Sequence, residues 1–181
     1  MACGECGVGY FQPNTSSSSS GGETPQADQK LFKALGNQAE KIKFQIDSGA
    51  AITVMKATDC KDYPLVKCGY HRALRAANGT PIEDKGDKHV HLVGPNGGPA
   101  QVVRAGATNV VNNLLSVIAL EDTGHRIVFG GNERYYEHKA SGVRTMIARV
   151  KGEYVVEYDV IPYAQVKGKV EQGNGSGHAR R

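Results

Sequence analysis

The sequence predicts a mostly antiparallel β-barrel or sandwich with one short helix, and three observations lead to this prediction. Apolar and polar residues alternate in several short segments, as they do in strands that bury one face. Turn sequences such as Asn78-Gly79-Thr80-Pro81 separate these segments. The 181 residues allow a single ordinary domain with tails, because domains cluster near roughly 100–150 residues.

The two ends of the chain are predicted to be disordered. Residues 14–28 contain five consecutive serines and no large apolar side chain, so they cannot compensate for the entropy lost on ordering. Residues 167–181 are rich in glycine and polar side chains and end in a basic terminus. The folded part is therefore expected to span about residues 30–165.

The first strand of the folded part is predicted at KIKFQID. Ile42, Phe44 and Ile46 alternate with polar residues, and the segment ends at Asp47. Short apolar runs predict the further strands, which are Ala51–Met55, His89–Val93, Gln101–Val103, Arg126–Phe129 and Tyr154–Val160.

One segment departs from the strand pattern. Residues 113–124 are apolar at Leu114, Val117 and Ile118, and Gly124 stands where a helix C-cap is expected. We predict one short helix there.

Charge and hydropathy limit the classes of function. The net charge of +4 comes from 22 basic and 18 acidic side chains, which is too balanced to indicate a nucleic-acid partner. No apolar run approaches the roughly 20 residues of a membrane span, and the first residues lack the pattern of a signal peptide. We expect a cytoplasmic protein that binds no membrane.

The strongest candidate for chemistry is Asp47-Ser48-Gly49-Ala50. It places a carboxylate at a turn between two apolar segments, where that group needs hydrogen-bond donors. The simpler interpretation is an Asx-turn that only shapes the loop.

Three segments resemble known proteins. FQIDSGAAITVM is similar to the catalytic turn of retropepsin-type aspartic proteases. VVNNLLSVIALEDTGHRIVF resembles a segment of the proteases of copia-type LTR retrotransposons, and ANGTPIEDKG followed by HVHLVG is similar to the flap hairpin and the next strand. The resemblance runs from Phe44 to Phe129. It implies a small closed retropepsin-like β-barrel and an aspartic endopeptidase that cleaves extended polypeptide, with a retroelement polyprotein as one candidate substrate.

The resemblance also implies roles for individual residues. Asp47 would be the catalytic acid and base, Ser48 would hydrogen-bond across a dimer, and Gly49 would let the backbone donate to the carboxylate. The mechanism needs two carboxylates that share one proton, and the chain has one Asp-Ser-Gly. A homodimer is therefore expected. The residues expected to contact the peptide substrate are Ala50, which also packs under the turn, and Asn78, Gly79 and Thr80 of the flap.

The resemblance divides the chain further. RTMIARVKGEYVVEYDVIPY resembles the segment that follows the protease in copia-type polyproteins. The expected organisation is a disordered segment at 1–29, a protease domain at 30–132, a β-rich extension at 133–166 and a disordered basic tail at 167–181. One alternative function is a catalytically inactive relic that serves as a dimerisation or peptide-binding module. Another is a small nucleic-acid-binding protein, based on the basic tail and two N-terminal cysteines.

No metal site or cofactor is predicted. Cys3 and Cys6 resemble half of a zinc knuckle, but two ligands cannot close a tetrahedral zinc site. His89 and His91 are expected to be exposed on one strand face. The two remaining cysteines, Cys60 and Cys68, are expected to be free thiols.

Overall fold

The computed structural model describes residues 8–10, 39–67 and 72–167. This part of the chain is mostly β. Its strands are β1 (Val8–Tyr10), β2 (Lys41–Asp47), β3 (Val54–Lys56), β4 (Leu74–Arg75), β5 (Pro81–Ile82), β6 (Asp84–Val93), β7 (Ala100–Thr108), β8 (Leu114–Ser116), β9 (His125–Gly130), β10 (Glu133–His138), β11 (Arg144–Met146), β12 (Ala148–Val150) and β13 (Glu153–Val160). The helices are a 3₁₀ turn at Pro95–Gly97, α1 at Val117–Asp122 and a short segment, α2, at 163–167.

The largest sheet has eight strands. Its order is β1-β7-β3-β8-β2-β13-β12, and β6 pairs with both β13 and β7. The pairing that leads from β7 through β3, β8, β2, β13 and β6 therefore returns to β7. A second sheet has the order β11-β10-β9, and β4 and β5 form a separate hairpin.

Strand β2 buries the face that the sequence predicted. Ile42 and Phe44 are buried and Ile46 is half-buried, while Lys41 and Lys43 are exposed. The alternation is confirmed, because side chains on a strand point to opposite faces in turn. The Phe44 ring meets the buried Tyr158 ring of β13 edge-on, with centroids 6.0 Å apart.

The other predicted strands lie within or overlap observed ones. The predictions at 89–93, 101–103, 126–129 and 154–160 fall inside β6, β7, β9 and β13. The strand predicted at Ala51–Met55 is wrong at its start, because β3 begins at Val54 and residues 51–53 continue the turn that follows β2. Strands β10, β11 and β12 have no counterpart among the individual strands predicted from the sequence.

The predicted helix is shorter than expected. Helix α1 begins after Ser116 and ends at Asp122, and Leu114–Ser116 is a strand. This strand pairs with β2 in parallel, with Leu115 opposite Ile46. Gly124 does follow the helix end and adopts a φ of 80°, the left-handed conformation that favours glycine.

Both predicted flanking segments contribute strands to the large sheet. β13 lies in the predicted extension 133–166 and pairs with β2 and β6 of the predicted protease domain. β1 lies in the predicted disordered segment 1–29 and pairs with β7 in antiparallel register. The prediction of disorder is therefore wrong for Val8–Tyr10. Helix α2, which was not predicted, follows β13 and buries Val166.

Several predictions concern residues outside the described ranges. These are the remaining disorder predictions for the two ends and the proposals for Cys3, Cys6 and Cys68. Cys60 is described, and it is a buried free cysteine. Burial raises the pKa of its thiol to about 12, so the thiol stays protonated. No helix in the described ranges has the length and apolar character needed to cross a bilayer.

Candidate active site

Asp47 is the last residue of β2, and it begins an exposed turn. Its side chain is half-buried, whereas Ser48 and Gly49 are exposed. The Gly49 N–H donates to Asp47 Oδ1 at 2.7 Å. A Cβ on Gly49 would lie 3.3 Å from the same oxygen. The absence of a side chain at Gly49 therefore leaves room for the Asp47 carboxylate beside the backbone. The carboxylate is thus held by the turn and accessible from outside the chain.

Ser116 connects this turn to helix α1. It lies opposite Asp47 in the parallel pairing of β8 with β2, and it is fully buried. Its hydroxyl donates to the Ala50 carbonyl at 2.6 Å and accepts from the Ala119 N–H at 3.1 Å. The second bond is an N-cap, which satisfies one of the free donors at a helix start.

Thr53 provides a second connection between the turn and β8. Its hydroxyl accepts from the Ser116 N–H at 3.2 Å, and its side chain is buried. The Thr53 carbonyl accepts from the Gly106 N–H of β7 at 2.9 Å. The turn is therefore attached to the sheet close to both of its ends.

The β4–β5 hairpin carries the predicted flap residues. Its chain reverses at 77–79, and Gly79 adopts a φ of 82°, as expected for Asn-Gly in a tight turn. The Thr80 N–H donates to Asn78 Oδ1, and Arg75 donates to the Gly79 carbonyl. These contacts lie within the hairpin and leave Asn78, Gly79 and Thr80 exposed.

The base of the hairpin lies near the Asp47 turn. A Cβ on Gly106 would lie 3.2 Å from Arg72 Nη2 and 3.5 Å from Ile52 Cδ1. Arg72 precedes β4, and Ile52 belongs to the turn after Asp47. The two side chains therefore meet the same point on β7, where glycine leaves space for them.

An ionic network anchors the same base. Arg72 contacts Asp84 at 2.7 Å and Asp87 at 2.7 Å, and Arg104 contacts Asp87 at 2.8 Å. The hydrogen bond from Arg72 holds the pKa of the Asp84 carboxyl at about 2. Asp87 is 1% exposed, and a buried carboxylate of this kind is stable only with its partners. The network joins the hairpin base to β6 and β7.

Other predicted features lie apart from this turn. His89 is exposed on β6 as predicted, whereas His91 is half-buried, so the prediction of exposure is wrong for His91. In the described ranges, no cluster of three or more His, Cys, Asp or Glu side chains has metal-binding geometry.

The polar residues that support the turn and the hairpin were not predicted from the sequence. The N-cap role of Ser116 had a local signal, a serine directly before an apolar helical run. The Arg72 network had no signal that periodicity could detect, because Asp84 and Asp87 are 12 or more residues from Arg72 in sequence. Arg104 joins the network only through the pairing of β6 with β7.

Comparison with known proteins found no relative: no family model, no curated protein and no solved structure matches the chain.

Proposed function

We propose that the chain is a retropepsin-like aspartic endopeptidase that acts as a homodimer on extended polypeptides. One observation carries the proposal: Asp47 ends a core strand at an exposed turn and accepts a hydrogen bond from the Gly49 N–H. A carboxylate in this position is held by its own turn and can be approached by a second chain.

The strand arrangement supports the fold part of the proposal. The pairing of β7, β3, β8, β2, β13 and β6 in a ring is what a small closed barrel requires, because closure removes the free edges. The parallel pairing of β2 with β8 brings the Asp47 turn beside the start of α1. This arrangement agrees with the resemblance of both segments to the protease family.

The chemistry requires a second carboxylate. Two carboxylates about 3 Å apart cannot both ionise, so they share a proton; one then activates water while the other polarises the peptide carbonyl. The other Asp-(Ser/Thr)-Gly in the sequence, at residues 122–124, ends helix α1 rather than a core strand. The second carboxylate would therefore be Asp47 of another copy across a two-fold axis. The exposure of Ser48 and Gly49 is compatible with that approach.

The hairpin supports a role in holding the substrate. Its base lies against the segment that follows Asp47 through Arg72 and Ile52, both close to Gly106, and its tip at Asn78 and Gly79 is exposed. A peptide bound between the hairpin and the turn would lie extended, with its backbone hydrogen-bonded like an added strand.

The test is peptide cleavage by the purified full chain. Unfolded polypeptide should be cut best at mildly acidic pH, where the carboxylate pair holds one proton. A pepstatin-like transition-state mimic should block cleavage, and Asp47→Asn should abolish it.

The matched control is Asp62→Asn, because Asp62 is an exposed aspartate outside the turn. This variant should cleave like the wild type. Cleavage that survives Asp47→Asn would refute the assignment. A dimer that cuts no unfolded substrate would instead favour the inactive relic.

A further inference from the structure

We infer that Ser116 is a positioning residue for Asp47, an inference that rests on the proposed function. Ser116 does not reach the carboxylate itself. It acts through the backbone of the turn, because its hydroxyl donates to the Ala50 carbonyl, one residue beyond the Gly49 N–H that holds Asp47 Oδ1.

The contacts of Ser116 attach the turn to rigid structure. Its backbone is paired with Asp47 in the sheet, its N–H is held by Thr53 Oγ1, and its hydroxyl also caps helix α1 through Ala119. A shift of the Ala50 peptide would move Gly49 and its N–H with it. The serine therefore couples the direction of the Asp47 carboxylate to β8 and α1.

A serine hydroxyl suits this position because it has one donor and two acceptor sites. The donor is used on Ala50 and one acceptor site on Ala119, and the side chain is fully buried. Alanine would remove both bonds and leave the Ala50 carbonyl without its side-chain donor. Threonine keeps the hydroxyl and adds one methyl group.

The experiment measures kcat and KM of the full chain for one unfolded peptide, with wild type, Ser116→Ala and Ser116→Thr. A misplaced catalytic group slows the chemical step by up to about 100-fold. We expect Ser116→Ala to lower kcat roughly 10- to 100-fold with KM within about twofold. Ser116→Thr should restore kcat to within about threefold of wild type.

A matched control separates positioning from helix stability. Thr123→Val removes hydroxyl contacts with the Ala119 and Leu120 carbonyls and with His125 Nδ1 at the other end of α1, and these contacts do not involve the turn. It should lower the thermal midpoint as Ser116→Ala does and leave kcat unchanged. Sedimentation at the assay concentration checks that each variant is as dimeric as wild type.

The results distinguish a failure of the positioning role of Ser116 from a failure of the proposed peptidase function. An active wild type whose kcat is unaffected by Ser116→Ala, or equally reduced by Thr123→Val, overturns the positioning role. A wild type that cleaves nothing refutes the proposed function, and with it the role of Ser116. If Ser116→Ala is unfolded by circular dichroism, Ser116→Cys replaces it, because a thiol is a weak donor, and the same loss of kcat is expected.

Discussion

His125 is a side chain whose burial makes the fold sensitive to pH. It is fully buried, and burial lowers its pKa to about 4. His138, with ring centroids 5.1 Å apart, and Lys139 also disfavour a positive charge there. Its Nδ1 lies 3.1 Å from both the Leu120 carbonyl and the Thr123 hydroxyl. The folded chain therefore keeps this imidazole neutral near pH 7.

The low pKa of His125 predicts a loss of stability in acid. Its pKa falls from 6.5 in the unfolded chain to about 4 in the folded one. Between these values the unfolded chain binds a proton that the folded chain does not, so the free energy of unfolding decreases as pH falls. From about pH 7.5 to 4.5, urea titrations should show His125 contributing a loss of about 2–3 kcal/mol.

The variant His125→Asn isolates this contribution. An asparagine amide can still donate to the Leu120 carbonyl, but it does not titrate. Its unfolding free energy should decrease less between the same two pH values. The comparison variant is His89→Gln. Partial burial and the nearby Arg104 charge lower the pKa of the His89 imidazole as well, but His89 is exposed and His125 is fully buried, so His89→Gln should retain most of the wild-type pH dependence. Equal slopes of unfolding free energy against pH for wild type and His125→Asn would contradict the prediction.

The acid-dependent loss of stability also bears on the proposed function. A peptidase that works best in mild acid would lose folding stability in the same pH range.

The residues of the candidate site differ in how far the sequence could predict them. Asp47, Ser48 and Gly49 were found because their signal is local: a strand that ends at Asp-Ser-Gly. The Ser116 hydroxyl bond to Ala50 spans 66 residues, and no local pattern encodes it. It arises only when β8 pairs with β2. Sequence therefore located the candidate carboxylate, and only the fold identified what positions it.

At the scale of elements, β13 determines whether the predicted protease segment can fold alone. It pairs with β2 from Val155 to Asp159 and with β6 near Val160. Four of its side chains are buried: Val155, Val156, Tyr158 and Val160. Burying each contributes about 1.5–3 kcal/mol, and the sum of roughly 6–12 kcal/mol rivals the total stability of a typical domain.

Truncation tests this dependence. A chain that ends at residue 132, the predicted domain boundary, loses β10, β11, β12 and α2 together with β13, and the loss of β13 leaves β2 and β6 with unpaired edges. We expect it to lack a cooperative unfolding transition by circular dichroism. A chain that ends at residue 167 removes no described residue and should unfold like the full chain. A cooperatively folded 1–132 fragment would show that β13 is dispensable.

Sequence alternation predicts a strand only where the strand buries one face and exposes the other. β2 alternates over residues 41–44, β6 over residues 89–92 and β7 over residues 100–105, because there one face of each strand packs on the core. β10 reads Arg-Tyr-Tyr-Glu, and three successive residues, Tyr135, Tyr136 and Glu137, are buried, so the period of two is lost. The partner of β13 was not predictable at all, since antiparallel pairing depends on contacts more than 100 residues apart.

At the scale of the whole molecule, one chain supplies half of the proposed catalytic pair. The turn at Asp47 is complete within the chain, with Gly49 and Ser116 holding it. One chain does not supply the second carboxylate of the pair, because its other Asp-(Ser/Thr)-Gly, at residues 122–124, ends helix α1 and not a core strand. Activity should therefore follow the fraction of dimers in which both chains carry Asp47, and not the fraction of all chains that carry Asp47.

Mixed dimers separate these two cases. Wild type and Asp47→Asn chains are refolded together in equal amounts, so that random pairing makes about a quarter of the dimers fully wild type. If both carboxylates are needed, cleavage per total chain should fall to about a quarter of the wild-type value. Independent chains would give about half. Refolding with Asp62→Asn should leave full activity, because both copies of Asp47 remain. A value near half would mean that each Asp47 works without its twin, which the shared-proton mechanism does not allow.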